Sequence, residues 1–288
     1  MTTDQSAVLE TRRGSRLAPS LDSVSNWPWW LLVAILIALY IVYQITTDEQ
    51  TNVIFRAVSK GVGTTILVAL VGYGVAVTIG LVVGLGRVAK NKLFFNAAAF
   101  YVEIIRGVPM IVLLMYTAFV AVPLGIQGLN AIGAWLEESL GLTTFLSTIS
   151  TRDIDNLWRV TFGLGIAYGA FEAEIFRAGI QSIEKGQMEA ARAMGMSYFQ
   201  AMRYIILPQA IRRIFPALGN DFVAMVKDSS LVSVLGVQDI TQLAKLYAAS
   251  TFLFFQTYSI LAFMYLVITI MLTRIVRRLE GRMSRDRR

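Results

Sequence analysis

The sequence contains no cysteine and no histidine among its 288 residues. These absences exclude disulfides, thiolate chemistry, and imidazole groups for catalysis or metal binding. Charged residues are also scarce, at 16% of the chain, whereas a soluble domain carries about a quarter. Hydrophobic residues make up 56%. The composition therefore argues against an ordinary soluble enzyme, and we expect no metal site.

The hydrophobic residues occur in blocks of about the 20 residues needed to cross a bilayer. Trp27, Trp29 and Trp30 precede the first block and are typical of a membrane interface. Residues 123–157 are predicted to form a loop. We therefore predict an all-α polytopic membrane protein with about six transmembrane helices. The predicted spans cover roughly residues 31–45, 61–85, 97–122, 158–180, 214–237 and 252–275.

Basic residues are distributed unevenly between the predicted loops. With both termini inside, 20 Lys and Arg lie inside, five lie outside, and Lys227 falls within the fifth span. Membrane proteins concentrate positive charge in cytoplasmic loops, so we predict that both termini are cytoplasmic. The same distribution accounts for the net charge of +7 without a nucleic-acid partner.

The inside connection at residues 186–208 is polar and amphipathic. Gly195 can adopt the left-handed conformation that ends a helix, and Ser197 is a suitable N-cap for a second helix. Pro208 is predicted to end that second helix. The segment therefore predicts two short helices that meet at Gly195.

Met188, Ala191 and Met194 recur at helical spacing, which places them on one predicted face. The small side chains of Ala190 and Ala191 permit close approach of a partner. A helix of this kind either docks into a groove of another protein or lies on the membrane surface. Periodicity alone leaves both interpretations open.

Glu189, Ala190 and Ala191, followed by Gly195 and Pro208, resemble the Glu-Ala-Ala loop of ABC-importer permeases. Three other segments, taken in order, resemble motifs of the polar amino-acid branch of that family, and together the four cover about residues 61–275. These segments are Glu103-Ile104-Ile105-Arg106-Gly107-Val108-Pro109, Ala173-Glu174-Ile175-Phe176-Arg177-Ala178-Gly179-Ile180 and Lys227-Asp228-Ser229-Ser230-Leu231-Val232-Ser233.

The resemblance implies a type I ABC importer permease fold with cytoplasmic coupling helices. It also implies two cytoplasmic ABC ATPase subunits, a second permease subunit that is a copy or a paralogue, and an extracytoplasmic solute-binding protein. The chain lacks a G-x-x-x-x-G-K-[ST] phosphate loop. We therefore expect the chain to bind no cofactor and not to be an enzyme, with ATP and Mg on the partner ATPase.

By the same resemblance, the chain imports a polar amino acid through the cell membrane of a prokaryote. Residues 1–26 are predicted as a cytoplasmic tail, 27–46 as an extra first transmembrane helix, 61–275 as the permease domain and 276–288 as a basic tail. The extra helix departs from the pattern of this branch. Leu113 and Glu172 also differ from the residues expected at those positions. The residues implied to couple to the ATPase are Glu189, Ala190, Ala191, Met194 and Gly195.

Charged residues inside predicted spans are costly and usually face a cavity, a partner or the bundle interior. Glu172 is a candidate counter-charge for a cationic group of the substrate. Lys227 and Asp228 either contact the solute or form a structural ion pair at a subunit interface. Ser229 and Ser230 either line the pathway or bond the helix backbone. These five residues are the candidate substrate-pathway set.

Other residues are assigned structural roles. The spacing predicts local ion pairs of Glu174 with Arg177 and of Glu103 with Arg106. Pro109, after Gly107, is predicted to break its helix, and broken helices often mark the binding region of a transporter. Gly80 and Gly84 are predicted to serve helix packing within the chain.

Three alternatives remain open from the sequence. The chain could be an ABC permease for another small solute. It could be a channel or ATP-independent carrier, which leaves the Glu-Ala-Ala segment unexplained. It could also be a membrane scaffold that transports nothing, which leaves the charges inside spans unexplained. The sequence does not identify the amino acid carried.

Overall fold

The computed structural model describes residues 29–285, which fall into two compact units. The first unit ends at Glu49 and the second begins at Gln50. The predicted tail at 1–26, Trp27 and residues 286–288 lie outside the described residues. The first unit contains helix α1, Trp29–Thr47, which falls on the predicted extra span and exposes most of its large apolar side chains.

Between Glu49 and Arg285 the chain is helical, with short connections, and the described part of the chain contains no β-strand. Two π-helical turns, Thr117–Ala121 and Met202–Ile206, continue one helix into the next, and 3-10 turns occur at Phe145–Thr148, Thr151–Asp153 and Ser229–Leu235. The α-helices are α2 (Glu49–Ser59), α3 (Val62–Arg87), α4 (Lys92–Gly107), α5 (Met110–Tyr116), α6 (Val122–Leu140), α7 (Asn156–Gln181), α8 (Lys185–Ala193), α9 (Tyr198–Ala201), α10 (Leu207–Asp228), α11 (Ile240–Thr251) and α12 (Phe254–Arg285).

Three helical stretches are long and apolar enough to cross a membrane: Glu49–Arg87, Met110–Leu140 and Phe254–Arg282. Leu31–Thr47 forms a shorter apolar helix. The predicted fourth and fifth spans fall on α7 and α10, which carry several charged residues. Many large apolar side chains of the three long apolar stretches are exposed, as expected for helices that contact lipid.

The predicted third span is interrupted and falls on two helices, α4 and α5, and the π-helical turn after them. α4 ends at Gly107 and α5 begins at Met110, with Pro109 between them in extended backbone. Proline lacks an amide hydrogen and its ring clashes with the preceding turn, and it also disfavours helical backbone at Val108. The predicted helix break at Pro109 is therefore present.

The prediction of a loop at 123–157 is wrong over its first half. Helix α6 continues to Leu140 and ends at Gly141, whose φ of +65° is left-handed. Pro123 lies just after the π-helical turn Thr117–Ala121, and a π turn widens the helix and so accommodates a residue without an amide hydrogen. Gly133 packs so closely on the 3-10 turn Phe145–Thr148 that an added Cβ would lie 2.5 Å from Ser147 N. The connection without α-helix is therefore confined to about residues 141–155.

The predicted fifth span divides into α10 and the 3-10 turn Ser229–Leu235, which ends at Gly236 with φ +78°. The predicted sixth span lies within α12, which begins after Phe252 (φ +60°) and continues to Arg285. Residues 276–285 of the predicted basic tail are therefore helical.

Helices α3 and α7 form the centre of the fold and approach through small residues. An added Cβ on Gly84 would lie 2.6 Å from the Cβ of Phe176, and one on Gly169 would lie 2.8 Å from Ile79. Gly80 meets Glu172 in the same way. Small residues allow such backbone contact between membrane helices. The predicted role of Gly80 and Gly84 in packing within the chain is confirmed.

Candidate functional site

The predicted inside connection, which follows α7, folds as two short helices joined by a tight turn. α8 ends at Ala193, and Gly195 has φ +85°. The amide of Gly195 donates to Arg192 O at 3.1 Å, and the amide of Met196 donates to Ala191 O at 3.2 Å. This pair of bonds is a Schellman motif, which needs a left-handed residue and favours glycine. The predicted helix end at Gly195 is confirmed.

Ser197 caps the second short helix, as predicted. Its Oγ accepts from Gln200 N at 3.2 Å, and Gln200 Oε1 accepts from Ser197 N at 2.8 Å. This reciprocal pair is a capping box. The segment from Ser197 onward is therefore anchored at its start by two hydrogen bonds.

The prediction that Pro208 ends this helix is wrong. The chain stays helical from Tyr198 to Asp228, and Pro208 lies in the first turn of α10. The π-helical turn Met202–Ile206 comes directly before it. A π turn widens the helix, which accommodates a residue that cannot donate a backbone hydrogen bond. The coupling loop, residues 185–206, thus continues directly into α10.

The coupling loop is packed on the C-terminal end of α7 and the N-terminal part of α10. Its buried Ile206 joins a cluster with Phe176, Ile180 and Ile214, and Met188 packs against the same cluster. Polar contacts add to this packing. Gln209 Nε2 donates to Gln187 Oε1 at 3.3 Å, and Arg213 Nη1 donates to Ser182 O and Oγ. A displacement of the loop would therefore be transmitted to both helices.

Residues of the Glu-Ala-Ala segment point in different directions. Ala191 is 5% exposed and faces the chain's own core, whereas Glu189 and Ala190 are exposed. Met194 is 82% exposed because α8 ends before it, so it does not share the buried face of Met188 and Ala191 as predicted. The loop presents Glu189, Ala190 and Met194 outward, together with Phe199 at 69% exposure.

Glu172 lies on α7 with its side chain completely buried. Both carboxylate oxygens are buried, and neither has a hydrogen-bond partner among residues 29–285. Asp221 on α10 is close enough to interact with Glu172 electrostatically, as is Tyr73 on α3. An isolated carboxylate in a low-dielectric interior is strongly unfavourable unless it is protonated or paired. The structure thus places an acidic group between α3, α7 and α10, with no ion pair to it among the described residues.

Asp228 accepts a hydrogen bond from the hydroxyl of Tyr168 on α7 at 2.7 Å. Lys227 is exposed, and the ion pairs within the described residues do not include one between Lys227 and Asp228. Ser229 Oγ donates to Val226 O at 2.7 Å, which is the backbone-bonding alternative. Ser230 is partly buried. The five candidate pathway residues therefore differ in burial and in hydrogen-bond partners.

Tyr73, Tyr168 and Asp221 were not identified from the sequence. Tyr73 donates to the backbone oxygen of Leu218 at 2.5 Å and so joins α3 to α10. Tyr168 joins α7 to the end of α10. A tyrosine in an apolar run resembles ordinary core filling, so the only available signal was a polar tip that needs a partner when buried.

Of the two predicted local ion pairs, one is present and the other is not. Arg177 pairs with Glu174, with Nε 2.9 Å from Oε2. Glu103 instead lies 4.0 Å from Arg87, and the Arg106 guanidinium is 5.5 Å from the ring centroid of Phe171. The predicted Glu103–Arg106 pair is therefore wrong, because the helix contacts of α4 offer each residue a partner outside its own turn.

The chain is similar to a known protein family, to curated relatives and to solved structures. Residues 76–285 match the family model described as "Binding-protein-dependent transport system inner membrane component". The chain belongs to this family. It is 33% identical to the glutamine transport system permease protein GlnP of Escherichia coli K12, over 78% of this chain and 92% of that protein. It is 36% identical to the probable glutamine ABC transporter permease protein GlnM of Bacillus subtilis, over 77% and 91% respectively.

A solved structure described as an amino acid ABC transporter with histidines matches this permease with a TM-score of 0.64 and 32% identity. The match covers 79% of this chain and 94% of that one. A chain of a solved structure of the MetNI methionine ABC transporter matches with a TM-score of 0.59 at 20% identity, which shows a shared fold. The permease therefore has the type I importer fold, and membership of this family implies an ATPase partner.

Proposed function

We propose that the chain is the transmembrane permease subunit of an ABC importer that moves a polar amino acid into the cytoplasm. The observation that carries the proposal is the coupling loop, in which Gly195 and Ser197 join two capped helices. This loop presents Glu189, Ala190 and Met194 outward while its other side is packed on the transmembrane helices. The named functions of the relatives in Escherichia coli and Bacillus subtilis support an amino acid as the substrate.

The importer assembles from this chain, a second permease subunit, two cytoplasmic ABC ATPase subunits and an extracytoplasmic solute-binding protein. The ATPases hold ATP and Mg, and this chain holds neither. The short helices of the coupling loop insert into a groove on the ATPase, with Met194 and Phe199 as apolar anchors. The complex lies in the cell membrane of a prokaryote with both termini of this chain in the cytoplasm.

ATP-driven closure of the ATPases displaces the coupling loop. Because Ile206 and Met188 join the buried cluster at the inner ends of α7 and α10, those helices move with the loop. Packed interfaces change between discrete arrangements and do not deform continuously. The displacement therefore switches the permease pair between inward-facing and outward-facing states.

The substrate-pathway set remains Glu172, Lys227, Asp228, Ser229 and Ser230. Glu172 and Asp228 lie on elements that pack together at the centre of the fold, and Glu172 has no cationic partner among residues 29–285. An unpaired carboxylate near the pathway favours a substrate that carries positive charge. Ser229 is better explained by its bond to the helix backbone.

The proposal is tested by purifying the tagged chain from native membranes and assaying the eluate for ATPase activity. The solute-binding protein is added back, and each of the twenty amino acids is tried in turn. A co-purifying ATPase that one amino acid stimulates is the expected result. If no ATPase accompanies the chain in mild detergent and the chain alone conducts or exchanges solute in vesicles, the channel or carrier alternative replaces this proposal.

A further inference from the structure

The C-terminal part of helix α12 carries a stripe of exposed arginines on the side that faces away from the protein. Val276, on the opposite side of the helix, is buried, and a Cβ added to Gly219 of α10 would lie 2.3 Å from its Cγ1. Residues three, four and eight apart share one face of a helix, so the packing of Val276 on α10 turns the arginines outward. The members of this arginine stripe are Arg274, Arg277, Arg278 and Arg282.

The turns of α12 before the arginine stripe expose apolar side chains on the same face. Val267, Ile270 and Met271 precede Arg274 at helical spacing and are 38%, 48% and 60% exposed. They belong to the apolar stretch Phe254–Arg282, which is long enough to cross a membrane. Outward-facing apolar side chains of such a helix contact the lipid acyl chains. The lipid-facing side of α12 therefore continues directly into the arginine stripe, which selects lipid as its neighbour.

The position of the stripe along α12 places it at the surface of the bilayer. Arg274 is the first charged residue of the helix, and the apolar part before it has about 20 residues, the length that crosses the hydrocarbon core. At a rise of about 1.5 Å per residue, Arg277 and Arg278 follow within about 6 Å of Arg274. That distance is less than the Debye length of about 8 Å, so all three side chains act on the lipid headgroups.

The arginine stripe keeps its positive charge because the acidic groups around it face elsewhere. Glu280 is the acidic residue of α12, and its Oε1 lies on the α10 side, 3.4 Å from a Cβ built on Gly219. The two acidic residues of α10, Asp221 and Asp228, interact with residues of α7. The ion pairs within residues 29–285 include none of the four arginines. An exposed surface of this charge attracts anions.

We propose that Arg274, Arg277 and Arg278 bind the headgroups of anionic phospholipids in the cytoplasmic leaflet. Basic residues directly beyond a transmembrane helix attract such lipids by about 1 kcal/mol each. The choice of leaflet rests on the proposed function, which places the C-terminal end of α12 in the cytoplasm. Bound headgroups hold this end of α12 at the membrane surface, so that α10, which continues from the coupling loop, moves against a fixed neighbour.

The test is site-specific crosslinking of the complete importer complex in nanodiscs that contain equal amounts of phosphatidylglycerol and phosphatidylcholine with the same acyl chains. Photoreactive benzoylphenylalanine replaces Met271, one turn before Arg274 on the exposed face, and the mass of the adduct identifies the neighbour. The permease with its arginines intact is expected to crosslink phosphatidylglycerol at least about fivefold more than phosphatidylcholine. That ratio corresponds to about 1 kcal/mol, the attraction of one basic residue near an anionic headgroup.

Two double variants, each carrying the photoreactive residue, separate charge from structure. Arg274→Gln with Arg278→Gln should lower the ratio to about one, whereas Arg274→Lys with Arg278→Lys should keep it, because lysine preserves the charge. Arg152→Gln is the control for net charge, since it removes an exposed positive charge outside α12, and it should leave the ratio unchanged.

Equal crosslinking of the two lipids with the arginines intact overturns the proposal, as does an unchanged ratio in the double glutamine variant. An adduct with the ATPase or with a second permease in place of lipid would assign the stripe to a protein contact and equally overturn it. The crosslinking requires neither ATP nor transport, so its failure is distinguishable from failure of the proposed function.

Discussion

Gly80 and Glu172 are in backbone contact across the centre of the fold: a Cβ built on Gly80 would lie 2.4 Å from the Cβ of Glu172. The same Cβ would lie 3.0 Å from the backbone nitrogen of Ala173. The absence of a side chain at position 80 is therefore what allows α3 to cover Glu172. This contact connects helix packing to the buried carboxylate, and it leads to the first two predictions.

Gly80→Ala should destabilise the permease by about 1–3 kcal/mol, because the added methyl group forces α3 away from α7. Thermal unfolding of the purified protein in detergent measures the loss. Gly74→Ala is the matched control, since Gly74 is on the same helix with nothing within 4 Å of an added Cβ. That control should show no loss, or a gain of up to about 1 kcal/mol from helix propensity. Equal stability of the two variants would contradict the contact.

Glu172→Gln should reduce uptake of cationic amino acids more than that of neutral ones, by about tenfold in relative rate, or about 1.4 kcal/mol. The substitution removes the charge and keeps the shape, so an effect on packing is small. Uptake by vesicles loaded with ATP and supplied with the binding protein measures it. Glu103→Gln, whose side chain is 77% exposed, serves as the control. An equal loss for cationic and neutral substrates would remove Glu172 from the pathway.

Tyr168→Phe should destabilise the protein by about 1–3 kcal/mol, because Asp228 loses a hydrogen bond in a partly buried site. Asp228→Ala should have a similar effect because it removes the acceptor, and the double variant should lose less than the sum of the single losses. Denaturation of each variant in detergent tests this non-additivity. Tyr116→Phe, at a position that is 57% exposed, should be neutral. Additive losses would show that the two side chains act independently.

Gly195→Val should prevent co-purification of the ATPase while membrane insertion stays intact. A β-branched residue at φ +85° is strained by about 1–2 kcal/mol, so the turn between α8 and α9 would rearrange. Gly195→Asn is the control within the same site, because asparagine tolerates the left-handed conformation, and it should retain most of the ATPase. Normal co-purification and transport in Gly195→Val would count against the coupling assignment.

The local features of the coupling loop could be predicted because they depend on neighbouring residues. A glycine followed two residues later by a serine marks a helix end and a helix start, and both occur at Gly195 and Ser197. The two prolines were harder to interpret. Pro208 and Pro123 each lie just after a π-helical turn through which the helix continues, whereas a proline considered without its surroundings indicates a helix end.

The missed side-chain contacts share one cause. Glu103 and Arg106 are three residues apart, which favours a local pair, but their partners come from α3 and α7. Tyr168 and Asp228 are 60 residues apart, so no local spacing predicts their contact. Contacts of this kind arise only when helices pack side by side.

The sequence by itself determined the membrane class, the family and the coupling segment, because apolar run length, charge distribution and short-range motifs are properties of neighbouring residues. Only the tertiary structure decided that Ala191 faces the core while Met194 faces outward, that Glu172 is sealed against Gly80, and that the packing of Val276 on Gly219 turns the arginines of α12 outward. Those facts depend on the distance and rotation between helices, which are set by packing of residues far apart in the chain.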